Sequence, residues 1–144
     1  MIVGVVALAV DCHDPVALSR WWQGLVGGDV RAHADGDARL VAPGLPPLDF
    51  LRVPDAKRVK NRWHLDLRVD DLEATLAEAL AHGAELAPDV HAGQEHFVVL
   101  RDPEGNELCL IRPGHEDPFS LHRGDLDAAS AAEITTLLAT DTPW

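Results

Sequence analysis

Trp63-His64-Leu65-Asp66-Leu67-Arg68-Val69 alternates without a break. Leu65, Leu67 and Val69 fall on one face of an extended segment and His64, Asp66 and Arg68 on the other, because successive side chains of a strand point to opposite sides. Any half-buried strand alternates in this way. The polar row is less ordinary, since it sets an imidazole, a carboxylate and a guanidinium side by side. Such a row suits the wall of a wet cup that receives a small polar molecule. His64 and Asp66 are the candidate catalytic pair, and Arg68, with its planar fork of donors, is a candidate ligand contact.

On the C-terminal side, Asp70-Asp71 cap a helix expected from Leu72 to about His82, with Leu72, Leu76 and Leu80 on one face and Gly83 as its stop. Strands are expected near 85–87, 95–101 and 107–112, the last two joined by the tight turn Asp102-Pro103-Glu104-Gly105-Asn106. The N-terminal half has the same order. A strand is expected at Val3–Val10, and Asp14-Pro15 then opens a helix over Pro15–Val26 carrying Leu18, Trp21, Trp22 and Leu25. Gly27-Gly28 ends it, and strands follow near 29–34, 38–42 and 48–53. The halves keep register: Asp14 to Asp71 and Ala7 to His64 are each 57 apart, and Gly27 to Gly83 is 56. Matching the prolines that follow each half pairs Phe50 with Cys109. A duplication constrains the fold strongly. The fold class is α+β: two βαβββ modules, about 3–53 and 63–112, form a cup-shaped curved sheet within a domain spanning 1–113. Residues 114–144 are an extension with one helix over about 128–139 and Trp144 at its end.

The chain has 144 residues and a formal charge of −12, from 12 Lys and Arg against 24 Asp and Glu. That balance points away from nucleic acid and from anionic membranes. No apolar run approaches the ~20 residues that span a bilayer. The apolar start lacks a basic leader and runs into Asp11, so it reads as a strand and not as a signal peptide. Two cysteines, Cys12 and Cys109, make no disulfide framework, and a reduced, cytoplasmic protein is expected. Residues 54–62, rich in Lys and Arg, read as a solvated connection between the modules; the sharper alternative is an arm that brings positive charge to an anionic ligand.

His96-Phe97-Val98-Val99-Leu100-Arg101-Asp102-Pro103-Glu104-Gly105-Asn106-Glu107-Leu108 resembles the closing hairpin of the vicinal oxygen chelate superfamily, which includes glyoxalases, bleomycin-resistance proteins and extradiol dioxygenases. Asp11-Cys12-His13-Asp14-Pro15 before the Trp21-Trp22 helix, and Asn61-Arg62-Trp63-His64-Leu65-Asp66-Leu67, are similar to its actinobacterial glyoxalase-like subgroup. The resemblance implies a metal cup with one ligand from the first and one from the last strand of each module. By position these are Ala7, Phe50, His64 and Cys109. Ala7 and Phe50 carry no donor, so His64 and Cys109 are the candidate ligands; a one-residue shift of register would bring in Asp49, but it would turn every side chain of that strand to the other face. A catalytic site needs about three protein ligands, so no metal is favoured, although a His-Cys-Asp set with Asp66 would suit Zn²⁺, and Ni²⁺, Mn²⁺ or Fe²⁺ are the other candidates. The resemblance also implies a small-molecule ligand and a homodimer.

The resulting expectation is a glyoxalase-like small-molecule-binding protein with a degenerate metal site, of resistance or sequestration type. The alternative is a lyase or dioxygenase of the same superfamily, or an acid/base enzyme using His64. Phe50 at a ligand position suggests an apolar cup that suits an aromatic ligand. Ala7, Trp22, Asp66, Arg68 and His96 complete the candidate binding residues. Cys109 reads either as a small buried hydrophobe or as a reactive or ligating thiol, and Arg68 either binds a carboxylate or phosphate or pairs with Asp66 or another local acid.

Overall fold

The computed structural model describes residues 2–87 and 96–114. The first module runs β1 (Leu8–Cys12), α1 (Pro15–Val26), β2 (Asp29–Ala32), β3 (Ala38–Val41) and β4 (Leu48–Arg52). The second repeats it as β5 (Leu65–Arg68), α2 (Leu72–Ala81), β6 (Glu85–Leu86), β7 (Phe97–Arg101) and β8 (Glu107–Ile111). Each module is a four-stranded sheet, ordered β1-β4-β3-β2 and β5-β8-β7-β6. The first strand of each lies parallel to the last and the remaining pairs are antiparallel. The α+β duplication expected from the sequence is the fold. The expected tail helix and Trp144 lie outside the described residues.

Local chemistry places the helices. The Asp14 carboxylate accepts the Ala17 N–H at 3.0 Å, and the Asp71 carboxylate accepts the Ala74 N–H at 2.9 Å; each satisfies one of the orphan donors of a first turn. Pro15 stands at the first position of α1, where no N–H is needed. After α1 the chain turns so close to β3 that a Cβ on Gly28 would sit 2.2 Å from the Val41 carbonyl oxygen, and its φ of +87° is one that glycine adopts freely.

The strand limits differ from the sequence expectation at the N-terminus. β1 starts at Leu8, not Val3. Its partner explains the difference: the Leu8 N–H donates to the Pro47 carbonyl, and Pro46 and Pro47 have no N–H to extend the ladder further back. β1 therefore continues to Cys12, opposite Arg52, while Ile2, Val3, Val5 and Val6 are exposed.

Register is also corrected. Leu8 faces Leu48 and Leu65 faces Leu108. The residue of β4 equivalent to Cys109 is therefore Asp49, and Phe50 is equivalent to Leu110. The prolines after β4 and β8 are not equivalent landmarks; pairing with the first strand sets the register. A shift of one residue turns a side chain to the other face. Phe50 accordingly lies in the main core, 0% exposed, beside Leu40, Leu48, Leu108 and Leu110. Cys109 lies in a second cluster with Ala87, Val99 and Ile111, against Phe97.

Both modules share the main core, and α1 ties them together. Trp22 is buried in it, and its indole N–H donates to the Asp102 carboxylate at 3.2 Å. Trp21, edge-on to Trp22 with centroids 5.6 Å apart, donates to the His82 carbonyl at the end of α2, at 3.0 Å. The Asp102–Asn106 turn completes the tie. Asp102 is buried and also accepts the backbone N–H groups of Glu104 and Asn106. The Glu104 carboxylate reaches across to accept the backbone N–H groups of His13 and Asp14, at the entry to α1. Burial pushes the Asp102 carboxyl above its ordinary range, and the donors from Asn106, Trp22 and Glu104 pull it partly back.

Asp102→Ala is expected to cost about 3 kcal/mol, since it strands several donors in a dry setting. Trp22→Phe, which removes one donor and keeps most of the ring, is expected to cost about 1–2 kcal/mol. Urea unfolding followed by circular dichroism measures both. An Asp102→Ala variant as stable as the wild type would show that the turn does not hold the modules together.

Candidate functional site

Among the described residues, β1 and β5 are both edge strands, and no strand ladder joins the two sheets. The gap between them opens into a cleft of about 350 Å³. One wall is β1, with Leu8, Ala9, Val10 and Asp11. The other is Asn61, Arg62, Trp63, His64 and Leu65, entering β5. Trp22 from α1, Leu48, Asn106 and Glu107 complete it. The walls are mainly apolar, with polar groups concentrated at the 61–64 side. Trp63 is 59% exposed, which is unusual for so large an apolar side chain. It gives a planar ligand a face to stack on.

Two of the expected binding residues, His64 and Trp22, line this cleft. Asp66 does not line it but supports His64: its carboxylate oxygen lies 3.1 Å from His64 Nε2. A carboxylate in that position can orient an imidazole. Arg68 is exposed and lines a different cleft with Asp66, Thr75 and Gly44. Its expected pairing with Asp66 is not what the structure records, since the ion-pair partner of Asp66 is His64. His96 stands just before β7, its carbonyl accepting the Arg112 N–H, and does not join His64 in the cleft. Ala7 precedes β1 and is not part of the cleft lining, and neither are Phe50 and Cys109.

The sequence reading missed Glu107 and the stretch that binds it. The Glu107 side chain is only 2% exposed and pairs with Lys57 Nζ at 2.9 Å, with Arg101 Nε 3.6 Å away. The same carboxylate accepts the Asn61 N–H at 2.9 Å. Lys57 therefore does not belong to a solvated connection, nor is it held out for an anionic ligand. Burial alone would raise the Glu107 carboxyl. The Asn61 N–H and the Lys57 ammonium outweigh that and bring it down to about 2. The signal available in the sequence was a lone carboxylate opening the otherwise apolar strand Glu107-Leu108-Cys109-Leu110-Ile111.

The residues at the four positions that would hold a metal do not fit one. Ala7 has no donor atom and Phe50 is a buried hydrocarbon. Asp49, which takes the place expected of Phe50, is gripped by both arms of the Arg39 guanidinium. That hydrogen-bonded fork holds its carboxyl below the ordinary range. The Cys109 thiol is pushed up to about 12 by burial and by the nearby Asp66 charge, so it stays protonated, whereas a metal takes the thiolate. Among the described residues, no group of three or more His, Cys, Asp or Glu is gathered closely enough to hold a metal ion.

Two βαβββ modules meeting along a seam with a cleft between them define the vicinal oxygen chelate superfamily. The chain belongs to its glyoxalase-like domain family, whose model matches residues 7–111. Among curated proteins, CFP32 of Mycobacterium bovis and that of Mycobacterium tuberculosis are each 29% identical over 92 residues, 62% of this chain and 35% of theirs. The chain thus spans about a third of the length of the curated relatives it matches. Solved structures share the fold. The fosfomycin resistance protein FosX of Listeria monocytogenes, complexed with Mn(II) and sulfate, is 13% identical with a TM-score of 0.67, over 85% of this chain and 100% of that one. TnmS3, an antibiotic binding protein of Streptomyces sp. CB03234, is 21% identical with a TM-score of 0.56, over 78% and 98%. No helix among the described residues is long and apolar enough to cross a membrane.

The Glu107 ion pair predicts a pH dependence of stability. Its folded-state carboxyl lies near 2, below the ordinary 4.5. Its contribution is therefore complete above about pH 4.5 and is lost as the pH falls towards about 2. Urea midpoints measured across that window are expected to fall more steeply for the wild type than for Glu107→Gln; equal slopes would place the acid sensitivity elsewhere.

Proposed function

We propose that the protein binds a small aromatic or drug-like molecule in the cleft between β1 and β5, without a resident metal, as a sequestering or resistance-type member of its family. The observation that carries this reading is the cleft itself: an apolar slot of about 350 Å³ with an exposed Trp63 at one wall and His64 beside it. A large aromatic left in water beside an apolar slot is the kind of surface a planar ligand covers. The metal positions point the same way, because their side chains are a methyl, a clamped carboxylate and a protonated thiol beside the one imidazole. TnmS3, an antibiotic binding protein on the same fold, supports this reading; FosX, complexed with Mn(II), represents another use of the fold.

In this reading the protein acts in the cytoplasm as a homodimer. The exposed aliphatic run of Ile2, Val3, Val5 and Val6 supplies apolar surface of the kind that a partner copy covers. A second reading rests on the His64–Asp66 contact of 3.1 Å: an acid/base enzyme in which His64 moves a proton on a cleft-bound substrate and Asp66 orients the ring.

Two measurements test the first reading. Protein prepared without chelators and offered Zn²⁺, Ni²⁺, Mn²⁺ and Fe²⁺ is expected to retain less than about 0.1 equivalent after desalting. A thermal-shift screen of aromatic compounds is expected to give hits of about 3 °C that vanish in Trp63→Ala. One equivalent of metal, lost in His64→Ala, would overturn the proposal. A hit that is chemically converted by the wild type but not by His64→Ala would establish the second reading.

A further inference from the structure

We infer that Glu107 is a positioning residue: it latches residues 57–63 as a strap and so fixes the wall of the cleft that carries Asn61, Arg62, Trp63 and His64. This deepens the binding role proposed for the cleft, and its ligand-binding part rests on that reading. The geometry is local and closed. One oxygen of Glu107, Oε2, receives both Lys57 Nζ and the Asn61 N–H, each at 2.9 Å. The same ammonium donates to the Val59 carbonyl at 2.8 Å. The strap therefore curls around a single cation, and that cation is seated on a carboxylate at the start of β8. The stem of Lys57 lies over the 102–106 turn, where a Cβ on Gly105 would come within 3.7 Å of Lys57 Cδ.

Residues 53–64 belong to no helix or strand, and most of 54–63 is exposed. Among the described residues, the polar anchors recorded within 54–63 are these contacts alone. Trp63, 59% exposed, is held by little burial of its own. Its place against the cleft follows from the fixed backbone two residues earlier. A charged and nearly buried carboxylate that gave up Lys57 and Asn61 would keep only the longer contact to Arg101 Nε, 3.6 Å away, and that loss favours the latched conformation.

The test uses the full chain with four variants. E107A removes both contacts, E107Q keeps an acceptor but loses the charge, K57M removes the cation, and W63A removes the aromatic wall. Amide hydrogen exchange by NMR reads the strap, and titration with the dye 8-anilinonaphthalene-1-sulfonate reads the cleft. In E107A the Asn61 amide, which donates to Glu107, is expected to exchange about tenfold faster or more, as the loss of a charged hydrogen bond implies, while Leu67 and Leu110 keep wild-type rates. E107Q and K57M are expected to fall between; being milder, they carry the test if E107A does not fold. Dye affinity is expected to drop about fivefold in both E107A and W63A.

An unchanged Asn61 amide would overturn the inference. So would an acceleration shared equally by Leu67 and Leu110, since Glu107 would then serve the sheet alone. A loosened strap with dye affinity lost in W63A but kept in E107A would overturn the positioning role. A loosened strap with dye affinity kept in both variants would leave the latch standing and remove the binding role proposed for the cleft.

Discussion

The buried carboxylate of Asp102 is the constraint on which the relation between the two modules depends. It accepts the Trp22 indole N–H from one module while closing its own turn in the other through Glu104 and Asn106. A charge in that setting is costly unless its lone pairs are occupied, so the turn, α1 and Trp22 must arrive together. Glu104 extends the same contact to the backbone ahead of α1. The five-residue turn is thus both a hairpin connection and the bracket that seats the first helix on the second sheet. With that bracket in place, one core serves both sheets, and β1 and β5 are held facing each other with a gap between them.

The duplication has not been kept symmetric in its polar groups. In the first module the ion-paired carboxylate of the sheet is Asp49, partly exposed and clamped by Arg39 from the neighbouring strand. In the second it is Glu107, engaged by a cation from the connecting segment. Both are satisfied internally, so neither offers lone pairs to a metal. The imidazole of His64 and the indole of Trp63 have no counterparts ahead of β1, where Ala7 and the aliphatic Val6 stand at the equivalent offset. The cleft is accordingly one-sided, with aromatic and most polar character on the β5 wall and, Asp11 apart, aliphatic character on the β1 wall.

Most of the architecture was legible in the sequence because its signals are local. Asp14-Pro15 and Asp71 are caps that act on N–H groups three residues away, and α1 and α2 begin where those residues predict. The 57-residue offset carried the duplication, and Leu8 and Leu65 keep it in the structure. What failed was non-local. The start of β1 is decided by Pro46 and Pro47, nearly forty residues on, and the register of β4 by its pairing with β1, so Phe50 could be placed in the cup only by mistake. Among site residues, His64 and Trp22 were found because a strand pattern and a helix pattern carry them. Glu107, Lys57 and Asn61 were missed because their meaning arises from contacts across 46 to 50 positions, and composition alone reads the basic stretch as wet.

The absence of a ladder between β1 and β5 has a consequence over evolutionary time. Where strands are hydrogen-bonded, spacing is fixed by the backbone and cannot be tuned. Across this seam the Asp102 bracket holds the modules together, and the bulk of Leu8, Val10, Leu65 and Trp22 shapes the slot between them. Substitutions there can widen or narrow the slot one side chain at a time without re-registering a strand. A lineage built on this scaffold can thus change which molecules it admits while its fold stays where it is.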